Sequence, residues 1–178
     1  MKQNNKKTLN LALSAISLAL CLLLPFLTGQ IKQIGNMLCP MHIPVLLCGF
    51  LCGPGYAAVV GAVAPLLRFA LFGMPALYPT GVAMCFELAA YGVISGWLYG
   101  ALPRGRRSIY AALLGAMLGG RVIWGAVQAL LLGFGGGTFT MSAFIAGAFV
   151  NAIPGIVLHI VLIPVIVMAL ERAGIGRA

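Results

Sequence analysis

Residues 42–91 read HIPVLLCGFLCGPGYAAVVGAVAPLLRFALFGMPALYPTGVAMCFELAAY, a nearly continuous apolar run broken by Gly53-Pro54-Gly55 and by the segment 73–79. One arginine, Arg68, and one carboxylate, Glu87, lie inside it. An ionised side chain at the centre of a membrane helix costs roughly 2.5–3.5 kcal/mol on insertion scales, so it is kept for a partner or a function. The apolar pieces between the two breaks have the length and hydropathy of membrane-spanning helices. Arg68 and Glu87 are the residues such a reading must explain.

Composition agrees with that stretch. The chain has 178 residues, of which 62% are hydrophobic and 7% charged, with a mean hydropathy of +1.08. A soluble domain carries about 25% charged residues, so there is too little polar surface here to coat a globule. The expected fold is an all-α integral membrane protein, a single domain over 1–178.

The net charge of +9 raises the question of nucleic acid, and the positions of the charges answer it. Eight of the 11 Lys and Arg fall in three clusters, at Lys2, Lys6 and Lys7, at Arg104, Arg106 and Arg107, and at Arg172 and Arg177. Each flanks an apolar segment, which is the positive-inside pattern of cytoplasmic loops and not the basic stripe of a nucleic-acid surface. Contact with anionic lipid headgroups of the bilayer follows. Four of the five cysteines lie in apolar segments, where a thiol packs as a small hydrophobe. Cys48 and Cys52 lack the convergent polar ligands of a metal site, and no metal or cofactor is expected.

In chain order, spans are expected over about 8–28, 41–53, 55–72, 80–101, 109–133 and 139–170. The first has no small-residue cleavage site and reads as a retained span, not a signal peptide. Its residues Ala12, Ala15 and Ala19 form one small-residue face, suited to close approach by another helix of the bundle or of a second protein. The second span is too short to cross unaided and must be shielded by neighbours. Gly92, Gly96 and Gly100 recur at four-residue spacing in the fourth span, a ridge for internal helix packing. Kinks are expected in the last segment at Pro154-Gly155 and at Pro164. Six spans put both termini in the cytoplasm with all three basic clusters.

Counting at about 1.5 Å per residue from the external loops places Arg68 about 8 Å deep, Glu87 about 12 Å, Asn151 about 16 Å and Arg121 about 18 Å. Four polar groups from four spans thus share the outer and middle membrane. Arg121, Trp124 and Gln128 follow i, i+3 and i+7 on one helical face, and Asn151 shares a face with Phe144 on the last span. Polar groups set into an apolar cavity are how small-molecule sites gain orientation and specificity. The candidate substrate-binding residues are therefore Arg68, Glu87, Arg121, Trp124, Gln128 and Asn151. Pairing of Glu87 with one arginine leaves the other as a positive excess, which an anionic substrate would complete. No nucleotide-binding G-x-x-x-x-G-K-[ST] occurs, no zinc motif occurs, and the only other carboxylate is Glu171 near the C-terminus. A self-powered pump and an enzyme are both poorly served; a passive facilitator or carrier would need a continuous polar path that the glycine-packed inner halves do not offer.

The whole chain resembles the substrate-binding (S) components of energy-coupling-factor vitamin transporters. The resemblance rests on six spans in a small chain, on Ala15-x-x-x-Ala19 as the AxxxA signature, and on Pro44-x-x-x-x-Gly49-x-x-x-Gly53-Pro54 as the turn between spans two and three of riboflavin-, folate- and pantothenate-type members. It implies a multi-pass protein of a bacterial cytoplasmic membrane that captures a scarce vitamin or precursor from outside. It further implies toppling against a transmembrane coupling protein driven by two ATPases, with the Ala12, Ala15 and Ala19 face as the contact. The two arginines lean the expected ligand towards a carboxylate such as pantothenate.

Overall fold

The computed structural model describes residues 2–27, 35, 37–103, 105–134 and 140–175, and all regular structure among them is helical. Helix α1 (Lys2–Leu27) runs further towards the N-terminus than the expected span and takes the basic head into the same helix. Ser14, Ser17, Cys21 and Pro25 form its buried face, at spacings that keep one side of a helix. The two hydroxyls are satisfied within the helix, Ser14 donating to the Asn10 carbonyl at 2.7 Å and Ser17 to that of Leu13 at 2.9 Å. Ala12, Ala15 and Ala19 lie on the other side and are exposed. Among the described residues the alanine face therefore plays no part in packing within the chain.

Helix α2 (His42–Cys52) has 11 residues, ten of them buried, so its neighbours do shield it as its length requires. It ends at Gly53, whose φ of 97° falls where a side chain is strained. Pro54 then opens α3 (Pro54–Phe72), one residue earlier than expected, where its missing N–H costs nothing. Gly73, at φ 69°, caps α3 by donating to the Phe69 carbonyl at 2.8 Å. A π-type turn over Leu77–Gly81 leads into α4 (Val82–Ala101), and Tyr78 ties that turn to α5 (Arg106–Phe134) by donating to the Leu131 carbonyl.

Gly92 and Gly96 of α4 are used internally, whereas Gly100, expected on the same ridge, is exposed. A methyl group at Gly96 would lie 2.6 Å from the Pro54 nitrogen, and one at Gly92 would lie 2.7 Å from Ala57 backbone atoms. Close backbone approach between α3 and α4 is what small residues provide where lipid gives no hydrophobic drive.

The last expected segment is interrupted. Helix α6 (Met141–Ala148) gives way to a 3-10 turn over Val150–Ala152 and then α7 (Ile153–Arg172). The break lies at Phe149, with φ −123° and ψ −61°, a few residues before the expected kink. Pro154 explains the offset: it cannot donate to the Val150 carbonyl four residues back, and its ring crowds that carbonyl. Pro164, also expected to kink the segment, leaves α7 continuous from Ile153 to Arg172.

Helical stretches at 6–27, 54–72, 77–101, 106–134 and 141–172 are each long and apolar enough to cross a membrane. Their outward surface is aliphatic, as at Leu114, Leu118 and Val122 of α5, while Tyr91, Phe50, Leu46 and Leu88 fill the interior. This is a multi-pass membrane bundle. The start of α1, the start of α5 and the end of α7 lie away from the end of the bundle that holds Leu22, Phe26, Phe72 and Gly73, so three basic segments share one end.

Candidate functional site

A cavity of about 390 Å³ opens at the end of the bundle opposite the basic segments. Its wall takes Pro25 from α1, Cys39–His42 at the start of α2, Arg68 from α3, the 73–76 loop, and Met84 and Glu87 from α4. Arg121 and Trp124 of α5, and Gly147 and Asn151 of the broken last span, complete it. Five of the six residues expected from sequence thus line one space. Gln128 does not: it lies a turn beyond Trp124 on α5, half-buried, with its Oε1 enclosed and without a hydrogen-bond partner.

The two arginines are held differently. Arg121 is buried, with Nη1 3.0 Å from Glu87 Oε1 and Nη2 donating to Cys39 Sγ at 3.4 Å. Arg68 is also buried, yet it meets no carboxylate among the described residues. Its Nη1 donates to the Leu22 carbonyl at 2.9 Å, and its guanidinium lies 5.6 Å from the ring centres of Phe26 and Phe72. Those rings meet edge to face at 4.9 Å and hold the cation by their negative faces. Arg68 is therefore held in place by neutral partners, with its charge uncompensated.

Glu87 has a second neighbour that sequence reasoning left out. His42 Nε2 lies 3.3 Å from Glu87 Oε1, with the imidazole edge-on to Tyr91 at 4.9 Å and 6.1 Å from the His159 ring. Glu87 Oε1 is thus ion-paired to Arg121, while the His42 contact falls short of hydrogen-bond geometry; both His42 nitrogens, Arg121 Nε and His159 Nε2 are enclosed without a hydrogen-bond partner among the described residues. Leaving a buried donor or acceptor unsatisfied costs about 1–3 kcal/mol each. Such a concentration beside one cavity calls for a physical reason. The signal for His42 was available in sequence, as a polar residue opening an apolar span directly after an external loop, but only the fold shows what it faces.

Trp124 forms an aromatic shelf on one side of the cavity, stacked on Phe144 at 6.3 Å and 25°. Glycines make the shelf fit: a methyl at Gly147 would lie 2.9 Å from the indole, and Gly125 gives room to the Phe144 ring. Asn151 reaches the cavity from the 3-10 turn, which the break before Pro154 creates. Discontinuous helices beside a polar-floored cavity are a recurrent feature of membrane transport proteins.

A multi-pass helical protein with an apolar cavity that holds a few buried charges and opens at one end has the architecture of a small-molecule binding site in the membrane. Residues 9–167 match the family of the ECF transporter, substrate-specific component, and the chain belongs to that family. The family is one of transporters and not of enzymes, and its members work with an energy-coupling module to take up small vitamin ligands. The chain matched none of the curated proteins and none of the solved structures with which it was compared.

Proposed function

We propose that this chain captures, with high affinity, a water-soluble vitamin or precursor that carries a carboxylate, pantothenate being the leading candidate. Uptake then proceeds together with a transmembrane coupling protein and two ATPases in a bacterial cytoplasmic membrane. In this reading the chain crosses six times, counting α2, with both termini and the basic segments in the cytoplasm and the cavity open to the outside. The exposed Ala12, Ala15 and Ala19 face of α1 is the surface for the coupling protein.

The observation that carries the ligand class is the uncompensated charge of Arg68. The chain has two acidic residues in all. Glu87 is engaged by Arg121 and His42, while Glu171 accepts a hydrogen bond from Tyr99 near Arg106, at the other end of the bundle. No acidic side chain remains to neutralise Arg68, so an anionic ligand group is its natural partner. Guanidinium suits a carboxylate because two parallel N–H groups match its two oxygens. The cavity, at about 390 Å³, falls within the range of about 300–1,000 Å³ usual for small-molecule sites.

The test is a thermal-shift screen of the purified chain against water-soluble vitamins, each paired with its amide or alcohol analogue. A tight ligand raises the melting temperature by mass action. The expected result is a shift from a carboxylate-bearing compound that its uncharged analogue does not reproduce. An uncharged vitamin binding tightly, with carboxylates inert, would overturn the anion reading.

A further inference from the structure

The unpartnered polar atoms of the cavity wall differ in kind from Arg68, and that difference bears on the ligand. At the mouth, one cation lacks a counter-charge. At the floor, Glu87 and Arg121 offset one another at 3.0 Å, so no net charge is left for an ion to answer. What the floor lacks is hydrogen bonds, and it lacks both kinds. Arg121 Nε is a donor, and the two nitrogens at His42 offer one donor and one acceptor whenever the imidazole is uncharged. A group that both donates and accepts, such as a hydroxyl or an amide, can answer such a set; an anion can only accept and would meet Glu87.

We infer that His42 is a second anchor of the cavity, taking a neutral hydroxyl or amide group of the molecule whose anionic end meets Arg68. This rests on the reading that the cavity is the substrate site, and it narrows the substrate to a bifunctional acid. His42 suits the role better than its neighbours. It lines the cavity, whereas His159 lies behind it, and its ring is braced edge-on by Tyr91. Opening α2 directly below the 39–41 turn, it sits where a ligand entering past Arg68 would end.

The chain has two histidines and two tryptophans, which makes the test direct. The protein is labelled with 15N-histidine in a Trp97→Phe background, leaving Trp124 at the cavity as the fluorescent reporter. An equimolar pool of pantothenate, biotin, nicotinate and folate serves as the probe. The expected result is quenching of Trp124 together with a shift of the His42 imidazole nitrogens, assigned with His42→Gln. His42→Leu should weaken the binding seen by Trp124 at least about tenfold, and His42→Gln, which keeps a donor and an acceptor, by much less. A packing role would instead lower ligand-free melting in both variants alike. Quenching with no change at His42, or equal affinity in His42→Leu, overturns this inference and leaves the anion reading standing. A His42 shift that survives Arg68→Gln at full affinity overturns the anion reading and leaves His42 as an anchor. No response at either reporter overturns both.

Discussion

Glu87 of α4 and Arg121 of α5 meet at 3.0 Å with both side chains buried, and this pairing leaves Arg68 of α3 as the uncompensated cation. One contact thus does two things: it fixes two helices against each other, and it decides which of the arginines is available.

Removing the carboxylate strands a buried guanidinium. Glu87→Gln is expected to destabilise the folded chain by about 3–5 kcal/mol, measured by unfolding in mild detergent. Glu87→Gln with Arg121→Gln should recover part of that loss, because the stranded charge is then gone. A single-variant effect below about 1 kcal/mol, the scale of an exposed pair, would show that the contact does not tie α4 to α5.

Arg68 has neutral partners, so Arg68→Gln should leave folding nearly intact while weakening ligand binding. Loss of one partner in a buried charge pair costs about 2–5 kcal/mol, or roughly 30- to several-thousand-fold in affinity. Titration followed by Trp124 fluorescence reads this out. Collapse of folded yield with unchanged affinity in the surviving protein would assign Arg68 to packing instead.

The exposure of Ala12, Ala15 and Ala19 makes the interface proposal clean to test. Ala15→Leu with Ala19→Leu adds bulk outside the bundle, so ligand binding by the isolated chain should persist. Co-purification with the coupling protein should be lost, since close helix contact tolerates little added volume. Assembly that survives both substitutions would place the partner elsewhere.

Two glycines give opposite expectations from the same chemical change. Gly96→Ala pushes a methyl to 2.6 Å from the Pro54 nitrogen, whereas nothing lies within 4 Å of a methyl at Gly105. Gly96→Ala should destabilise by about 1–3 kcal/mol through overpacking, and Gly105→Ala should stay within about 0.5 kcal/mol of the parent. Equal melting temperatures for the two would contradict the close α3–α4 approach.

The membrane orientation is open to labelling. In a background lacking the native thiols, Gly105→Cys should react with an impermeant reagent only after the membrane is breached. Reaction from outside in intact cells would invert the proposed topology.

Much of this architecture is legible in the sequence because membrane insertion is governed by local quantities. Span length, hydropathy and turn residues depend on neighbours in the chain, so the helices at 54–72 and 106–134 and the Gly53-Pro54 turn between α2 and α3 follow from residue order alone. Charged and polar side chains are also conspicuous against an apolar background, which is why Arg68, Glu87, Arg121 and Asn151 stand out before any fold is known. Pairing is different, since it depends on the rotation of each helix about its axis and on contacts between residues tens of positions apart. Only the tertiary structure decides that Glu87 faces Arg121 and not Arg68, that His42 joins them, and that Gln128 stays outside the cavity lining. It likewise decides that the alanines of α1 point out while Ser14, Ser17 and Cys21 point in. Both faces are small enough to pack, so composition along the helix could not choose between them, and the fit against α2 and α3 did.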